Sequence, residues 1–295
     1  MKLLLFAFPG NECLASLLTP LVGAETGKTM LRRFPDGETY WRYEAPVAGR
    51  EVAILCTLDR PDDKALALLF AAAAARDLKA KRVGLVAPYL AYMRQDHRFQ
   101  PGEAITSATF AGIVSGEVDW LVTVDPHLHR RSSLDEIYGV PTRVLHAAPL
   151  IAQWIGDNVE KPLLIGPDRE SEQWVAAVAR GAAAPHIVLR KVRRGDRDVT
   201  VSVPDLAQWK DRTPVLVDDI ISTGRTMIET VQHLKAAGAA PPVCIAVHGV
   251  FAGNAHAELR EAGAARVVTT NTISHSTNRI DVSGLLAEGV RAMMS

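Results

Sequence analysis

The sequence predicts an α/β protein of two doubly wound domains, each built on a mostly parallel central sheet. Three observations predict it. The chain has 295 residues, and at roughly 100–200 residues per domain two domains are expected. Short apolar runs alternate with longer helical patterns, the rhythm of βαβ units, and they do so twice along the chain. The short runs are apolar at successive positions, as strands covered by helices on both faces must be.

The first half opens with Leu3–Phe8, an apolar run stopped by Pro9-Gly10 and read as a first buried strand. Val52–Thr57 is a strand, Asp62–Lys79 a helix rich in Ala and Leu, and Arg82–Ala87 a strand. Glu103–Ser115 is helical and Trp120–Val124 is a strand. The run Ala71–Ala75 presents small side chains that let a helix pack close to a sheet. In the second half Pro162–Ile165, His186–Leu189, Pro214–Val217, Val243–Val250 and Arg266–Thr269 are strands. Between them Glu172–Arg180, Arg225–Ala237 and Ala255–Ala262 are helices. Pro141 and the stretch Gly156–Pro162 bracket the change of domain, which divides the chain into 1–146 and 147–295.

Composition removes several function classes. Lys+Arg and Asp+Glu are both 33, so the net charge is +0 and no overall electrostatic footprint for nucleic acid exists. Hydrophobic residues at 48% and charged residues at 22% exclude a disordered chain. The three cysteines, Cys13, Cys56 and Cys244, have no metal-ligand spacing and suit a reducing compartment. No apolar run approaches the ~18 residues of a membrane span, and no signal-peptide cleavage site follows the apolar start. A cytoplasmic protein without membrane or nucleic-acid partners is expected.

Ligands of open α/β sheets sit beyond the carboxyl ends of the strands. The clearest such place is Pro214–Thr226, where an apolar strand runs into Asp218-Asp219, then Ser222-Thr223-Gly224, then a helix beginning with Arg225-Thr226. Backbone N–H groups of such a loop converge, and the helix terminus adds positive potential, so a phosphate is held without lysine. Ser222, Thr223 and Thr226 offer hydroxyls, and the paired carboxylates suit sugar hydroxyls or a metal. A helix cap alone needs only one acid.

This stretch resembles the ribose-phosphate motif of the phosphoribosyltransferase-type fold. Other segments resemble the ribose-phosphate diphosphokinases, which make phosphoribosyl diphosphate (PRPP), closer to their archaeal-type branch. Phe34-Pro35-Asp36-Gly37-Glu38 is similar to their adenine-nucleotide loop, and Tyr89–Asp96 to their second ATP-contacting segment. Asp125-Pro126-His127 is similar to their Asp-x-His element, and Gly166-Pro167-Asp168 to a Pro-Asp metal site. Lys191-Val192-Arg193, in a hairpin-like stretch 191–203, resembles the Lys-x-Arg of their catalytic lid. Asn271-Thr272-Ile273 and Ile280–Ser283 resemble their C-terminal segments.

The resemblance implies two phosphoribosyltransferase-like domains, with ATP segments in the first and the ribose 5-phosphate loop and lid in the second. It implies transfer of the diphosphoryl group of ATP to the C1 hydroxyl of ribose 5-phosphate, with Mg²⁺ as cofactor. By the same resemblance Lys191 and Arg193 are catalytic, and Phe34, Asp36, Glu38, Arg94, Gln95, Asp96 and His127 bind ATP. Asp218, Asp219, Ser222, Thr223, Gly224, Arg225 and Thr226 hold ribose 5-phosphate, and His127 and Asp168 contact the metal. Asp96 bonds either metal-bound water or Arg94. The Phe34–Glu38 loop reaches a neighbouring subunit's ATP site in this family, so a homo-oligomer, a dimer or higher, is implied.

Two positions depart from the family's pattern. Charged Arg169-Glu170 stands where small residues are common, and Arg225 replaces a small residue of the phosphate loop. Arg225 either points outward or helps bind the 5-phosphate. Other segments fit rival chemistries less completely. Gly23–Thr29 has three residues between its glycines where a P-loop needs four. His127 and His129 have the H-x-H spacing of zinc amidohydrolases, without that fold's eight-unit barrel. The basic run 190–197 alone also fits a solvated hairpin or an RNA-binding patch. A phosphoribosyltransferase consuming PRPP leaves the Phe34 and Arg94 segments unexplained. A non-catalytic homologue leaves the retained Lys191, Arg193 and His127 unexplained.

Overall fold

The computed structural model describes residues 2–167, 171–194, 198–202 and 207–295. The first part contains β1 (Leu4–Ala7), α1 (Glu12–Leu21), β2 (Glu25–Thr26), β3 (Thr29–Arg33), β4 (Thr39–Tyr43) and β5 (Glu51–Leu55). It continues with α2 (Ala65–Asp77), β6 (Arg82–Ala87), α3 (Thr106–Glu117), β7 (Trp120–Val124) and β8 (Thr142–Leu145). Six strands form one sheet in the order β2-β1-β5-β6-β7-β8, every pair parallel. Each position of β5 and β7 is buried, which is why their sequences show no polar alternation. Ala71, Ala72 and Ala75 of α2 are 0% exposed, so the alanine run does form a closely packed helix face.

β3 and β4 make a separate antiparallel hairpin. Its Leu31, Trp41 and Tyr43 pack on the core. Trp41 stacks on Phe8 with centroids 5.0 Å apart, and the Tyr43 hydroxyl donates to the Ala71 carbonyl at 2.7 Å. In the sheet, fully buried Trp120 pairs with Gly84 of the adjacent strand. A Cβ on Gly84 would lie 1.9 Å from the indole Cε2, so the glycine is what admits the ring.

The second part contains α4 (Ala148–Asn158), β9 (Pro162–Gly166), α5 (Glu172–Gly181), β10 (His186–Val188), β11 (Arg190–Arg194) and β12 (Asp198–Ser202). It continues with β13 (Thr213–Ile221), α6 (Arg225–Ala236), β14 (Val243–Gly249), α7 (Ala255–Ala262), β15 (Arg266–Thr270) and β16 (Asn278–Ile280). Its sheet has the order β10-β9-β13-β14-β15-β16, again all parallel. β11 and β12 form an antiparallel hairpin, where the sequence predicts one. The two sheets thus share one plan. The second strand lies at an edge beside the first, the remaining four follow in order, and an antiparallel hairpin is inserted after the second strand.

The chain ends in α8 (Ser283–Met294), which returns to the first sheet, packing on α1, β7 and β8. The compact units are Met1–Leu145 with Ser283–Ser295, and His146–Val282. The division expected from the sequence, 1–146 and 147–295, therefore differs at its C-terminal end. Leu286, Ala287 and Val290 of α8 are buried. A Cβ on its Gly289 would lie 2.8 Å from Val122 Cγ1 and 2.9 Å from Leu145 Cδ1. α4, which follows the last strand of the first unit, packs instead on α5 and β16 of the second.

Cys56 and Cys244 are buried and Cys13 is exposed. Burial pushes both buried thiols up to about 12. A thiol-reactive dye at about pH 8 is expected to label Cys13 alone in the native protein, and all three after denaturation. Labelling of a second thiol before unfolding would contradict that packing.

Candidate functional site

In the second unit β13 runs on to Ile221, past the apolar segment that the sequence marks as a strand. Asp218 and Asp219 therefore lie within the C-terminal part of the strand, half-buried, and the Asp219 N–H donates to Asp218 Oδ1 at 3.0 Å. Both are at the carboxyl end of a central strand, between β9 and β14. Gly224 follows at φ +69°, a left-handed conformation that glycine adopts without steric cost. It is the residue preceding α6, and no side chain caps that helix. The first-turn N–H groups of α6 have no intrahelical acceptor, so they face the space in front of the loop together with the dipole's positive end. Ser222 and Thr226 are half-buried, while Thr223 and Arg225 are exposed beside them. An apolar strand, two carboxylates, hydroxyls and helix-start amides thus meet at one strand–helix junction, with Arg225 exposed beside them.

In the first unit Asp125-Pro126-His127 directly follows β7, again at a strand's carboxyl end. Asp125 is buried at φ +33°, and its N–H donates to the Leu145 carbonyl at 2.9 Å. His127 and His129 lie in a loop, not on a strand, with ring centroids 3.9 Å apart and planes at 72°.

Arg94, Gln95 and Asp96 occupy the loop between β6 and α3. Arg94 is exposed. The Gln95 carbonyl accepts from the Ser107 N–H at 3.3 Å. Asp96 turns inward, its side chain 2% exposed, and does not hold Arg94. Its Oδ1 bonds His97 Nδ1 at 2.8 Å and pairs with Arg130 at 3.4 Å. Arg131 donates to the Asp96 carbonyl at 3.2 Å and to Ser107 Oγ at 3.3 Å. Asp96 thus binds the Arg94 loop to the segment after His127. His97, Arg130 and Arg131 are the functional-site neighbours that motif reading missed; the Arg130-Arg131 doublet just after the His pair was the available signal.

Burial alone raises the Asp96 pKa, but the His97 hydrogen bond and the Arg130 charge outweigh it, and the carboxyl is held below the usual aspartate range. A lowered folded-state pKa contributes stability above the unfolded value of about 3.9 and loses it as pH falls through the folded value. Asp96→Asn is therefore expected to cost more stability at neutral pH than in acid, read from denaturant melts at both. An equal loss at the two pH values would contradict this.

At the β3–β4 turn the Phe34 N–H donates to the Glu38 carbonyl at 2.8 Å, and the Gly37 N–H to the Phe34 carbonyl at 2.9 Å. Asp36 Oδ1 accepts from the Glu38 N–H at 3.1 Å, so one of its oxygens shapes the turn and the carboxylate is held in place. Phe34 is 38% exposed and is no core residue. The Arg32 guanidinium lies 4.5 Å from its ring centroid and 4.3 Å from that of Tyr40. Lys191 and Arg193 lie on β11 opposite Val201 and Val199. Asp168 and Glu170 lie outside the described residues.

A doubly wound unit with an acidic strand end, a hydroxyl-rich loop and an uncapped helix start defines the phosphoribosyltransferase type. Residues 133–283 match the phosphoribosyl transferase domain family. Residues 3–116 match the N-terminal domain of ribose phosphate pyrophosphokinase. A ribose-phosphate pyrophosphokinase of Saccharolobus solfataricus is 35% identical over 284 residues, covering 94% of this chain and 95% of its relative. That of Methanosarcina acetivorans is 33% identical over 286 residues, covering 97% and 98%. The crystal structure of phosphoribosylpyrophosphate synthetase from Mycobacterium smegmatis superposes with a TM-score of 0.88 at 26% identity, covering 100% of this chain and 99% of that one. This chain belongs to the ribose-phosphate pyrophosphokinase family.

Proposed function

We propose that this chain is a ribose-phosphate diphosphokinase: it moves the diphosphoryl group of ATP onto the C1 hydroxyl of ribose 5-phosphate, giving PRPP and AMP. The observation that carries this reading is similarity to ribose-phosphate pyrophosphokinases over nearly the whole chain; the strand–loop–helix junction at Asp218–Thr226 supports it. The C1 oxygen attacks the β-phosphorus, the bond from that phosphorus to the α,β-bridging oxygen breaks, and the hydroxyl proton leaves to solvent. Such transfer depends on positioning and charge neutralisation more than on protein nucleophiles.

The loop amides and the hydroxyls of Ser222, Thr223 and Thr226 hold the 5-phosphate, with Gly224 supplying the turn. Asp218 and Asp219 accept from the ribose hydroxyls. Arg225, exposed at the helix start, lends long-range positive charge. Arg94, Gln95 and His127 contact the nucleotide, and Asp96 holds that loop in register through Arg130. Phe34 stacks on adenine while Asp36 and Glu38 accept from its amino group, in a neighbouring subunit of a homo-oligomer. Lys191 and Arg193 close over the β- and γ-phosphates and exclude water.

The donor set fits Mg²⁺ carried largely by the nucleotide. The cation prefers oxygen ligands and retains waters, so Asp168 and the phosphates would be its partners, and His127 would act through water or on phosphate. When bound, Mg²⁺ neutralises phosphate oxygens. No helix among the described residues is long and apolar enough to cross a membrane, and a cytoplasmic location follows from the reduced cysteines and the soluble substrates.

The test is a phosphorus NMR assay of the purified protein with ATP, Mg²⁺ and ribose 5-phosphate. AMP and PRPP appearing together are the expected result. No AMP, with ribose 5-phosphate still bound, would replace this reading with that of a non-catalytic homologue. Consumption of added PRPP with a free base would replace it with a base transferase.

A further inference from the structure

The loop that receives the sugar phosphate is braced from behind by the segment after β14. The Phe251 N–H donates to the Ile221 carbonyl at 3.0 Å, and the Ala252 N–H to the Ser222 carbonyl at 3.1 Å. In a trans peptide the N–H points opposite to the C=O of the same unit, and no peptide bond of the described residues is cis. Holding the carbonyls of Ile221 and Ser222 toward Phe251 and Ala252 therefore aims the N–H groups of Ser222 and Thr223 the other way. Among the described residues neither of those two N–H groups has a protein acceptor.

Two successive N–H groups face one side only when the backbone between them departs from strand geometry. Phe251 does so, at φ +45°, a conformation disfavoured for a bulky side chain. Its ring is what retains it there. The centroid lies 4.5 Å from that of His275 and 5.4 Å from that of His256, with the two imidazoles 5.2 Å apart. Thr277 fixes His275 through bonds of 2.9 Å and 3.2 Å to Nδ1. Gly249 leaves room: a Cβ there would stand 2.6 Å from Phe251 Cε2 and 2.9 Å from Thr269 Cγ2.

We propose that Phe251 is a positioning residue for ribose 5-phosphate: clamped by His256 and His275, it holds a left-handed backbone whose amides orient the phosphate loop. This rests on the proposed activity insofar as the ligand is ribose 5-phosphate. The test compares Phe251→Ala, Phe251→Gly and Phe251→Tyr by KM for each substrate, by direct titration with ribose 5-phosphate, and by amide exchange of residues 251 and 252. Weakening two charge-assisted bonds corresponds to a loss on the order of ten- to a hundredfold.

Phe251→Ala is expected to raise KM for ribose 5-phosphate by that factor, to leave KM for ATP within about twofold, and to speed exchange at Ala252. Phe251→Gly, free to adopt the left-handed backbone, is expected to fall between Ala and wild type, and Phe251→Tyr to match wild type. Unchanged exchange at Ala252, or an equal rise in both KM values, would overturn the inference. A wild-type protein that does not bind ribose 5-phosphate would overturn the proposed activity instead. The exchange order Ala, Gly, Tyr would still decide whether Phe251 orients the loop.

Discussion

Lys191→Ala is expected to leave the protein folded and both substrates bound, while turnover falls about a hundred- to a thousandfold. The bond that breaks leaves negative charge on AMP's α-phosphate, and the transferred group carries charge on both of its phosphates. If Lys191 has its proposed role of neutralising charge that grows in the transition state, removing it lowers kcat without a matching rise in KM. Lys191 stands on β11, which among the described residues pairs with β12 in a two-stranded sheet of its own. Because that hairpin is separate from the six-stranded sheet, the melting temperature is expected to stay within about a degree. Phosphorus NMR or coupled AMP release reads the rate. Turnover within about threefold of wild type would remove Lys191 from the transfer step.

Gly84→Ala is expected to be the most damaging single-methyl change in the first sheet. The new Cβ would stand 1.9 Å from Cε2 and 2.0 Å from Cζ2 of a tryptophan that is 0% exposed. An indole is rigid and close-packed surroundings leave it nowhere to move. Overpacking of this kind costs about 1–3 kcal/mol and occasionally more, and at ~2–4 °C per kcal/mol for a domain of this size the melting temperature drops several degrees. Trp120→Leu in the same chain is expected to rescue part of the loss, because the two positions share one space and their effects do not add. A Gly84→Ala protein that melts with wild type would show that β6 and β7 are less tightly apposed than the geometry indicates.

Much of the fold was legible because of burial on both strand faces. Arg82–Ala87, Trp120–Val124 and Ala255–Ala262 have the same bounds in sequence and structure. The elements that escaped have weak local signals. α1 carries Pro20 in its last turn, and β2 is two residues long. The β3–β4 ribbon turns Leu31, Trp41 and Tyr43 to the core and leaves Arg32 and Tyr40 outside it, but each strand is only five residues long and carries few apolar positions. At the site, Asp218–Thr226 could be read because one short segment carries its own loop and helix start. The inward turn of Asp96 could not, since its partners Arg130 and Arg131 are 34 and 35 residues away.

By itself the sequence determined the class of the fold, the family and the position of the candidate sugar-phosphate loop. These follow from local periodicity and from motifs whose residues are neighbours in the chain. Only the tertiary structure decided that α8 closes the first sheet. An amphipathic helix carries no mark of which of two like sheets it will cover, and that choice is made by the fit of Gly289 against Val122 and Leu145. It likewise decided that Phe251, an ordinary aromatic in the sequence, stands in a left-handed turn behind the phosphate loop. That position depends on contacts with His256 and His275 and on the space left by Gly249.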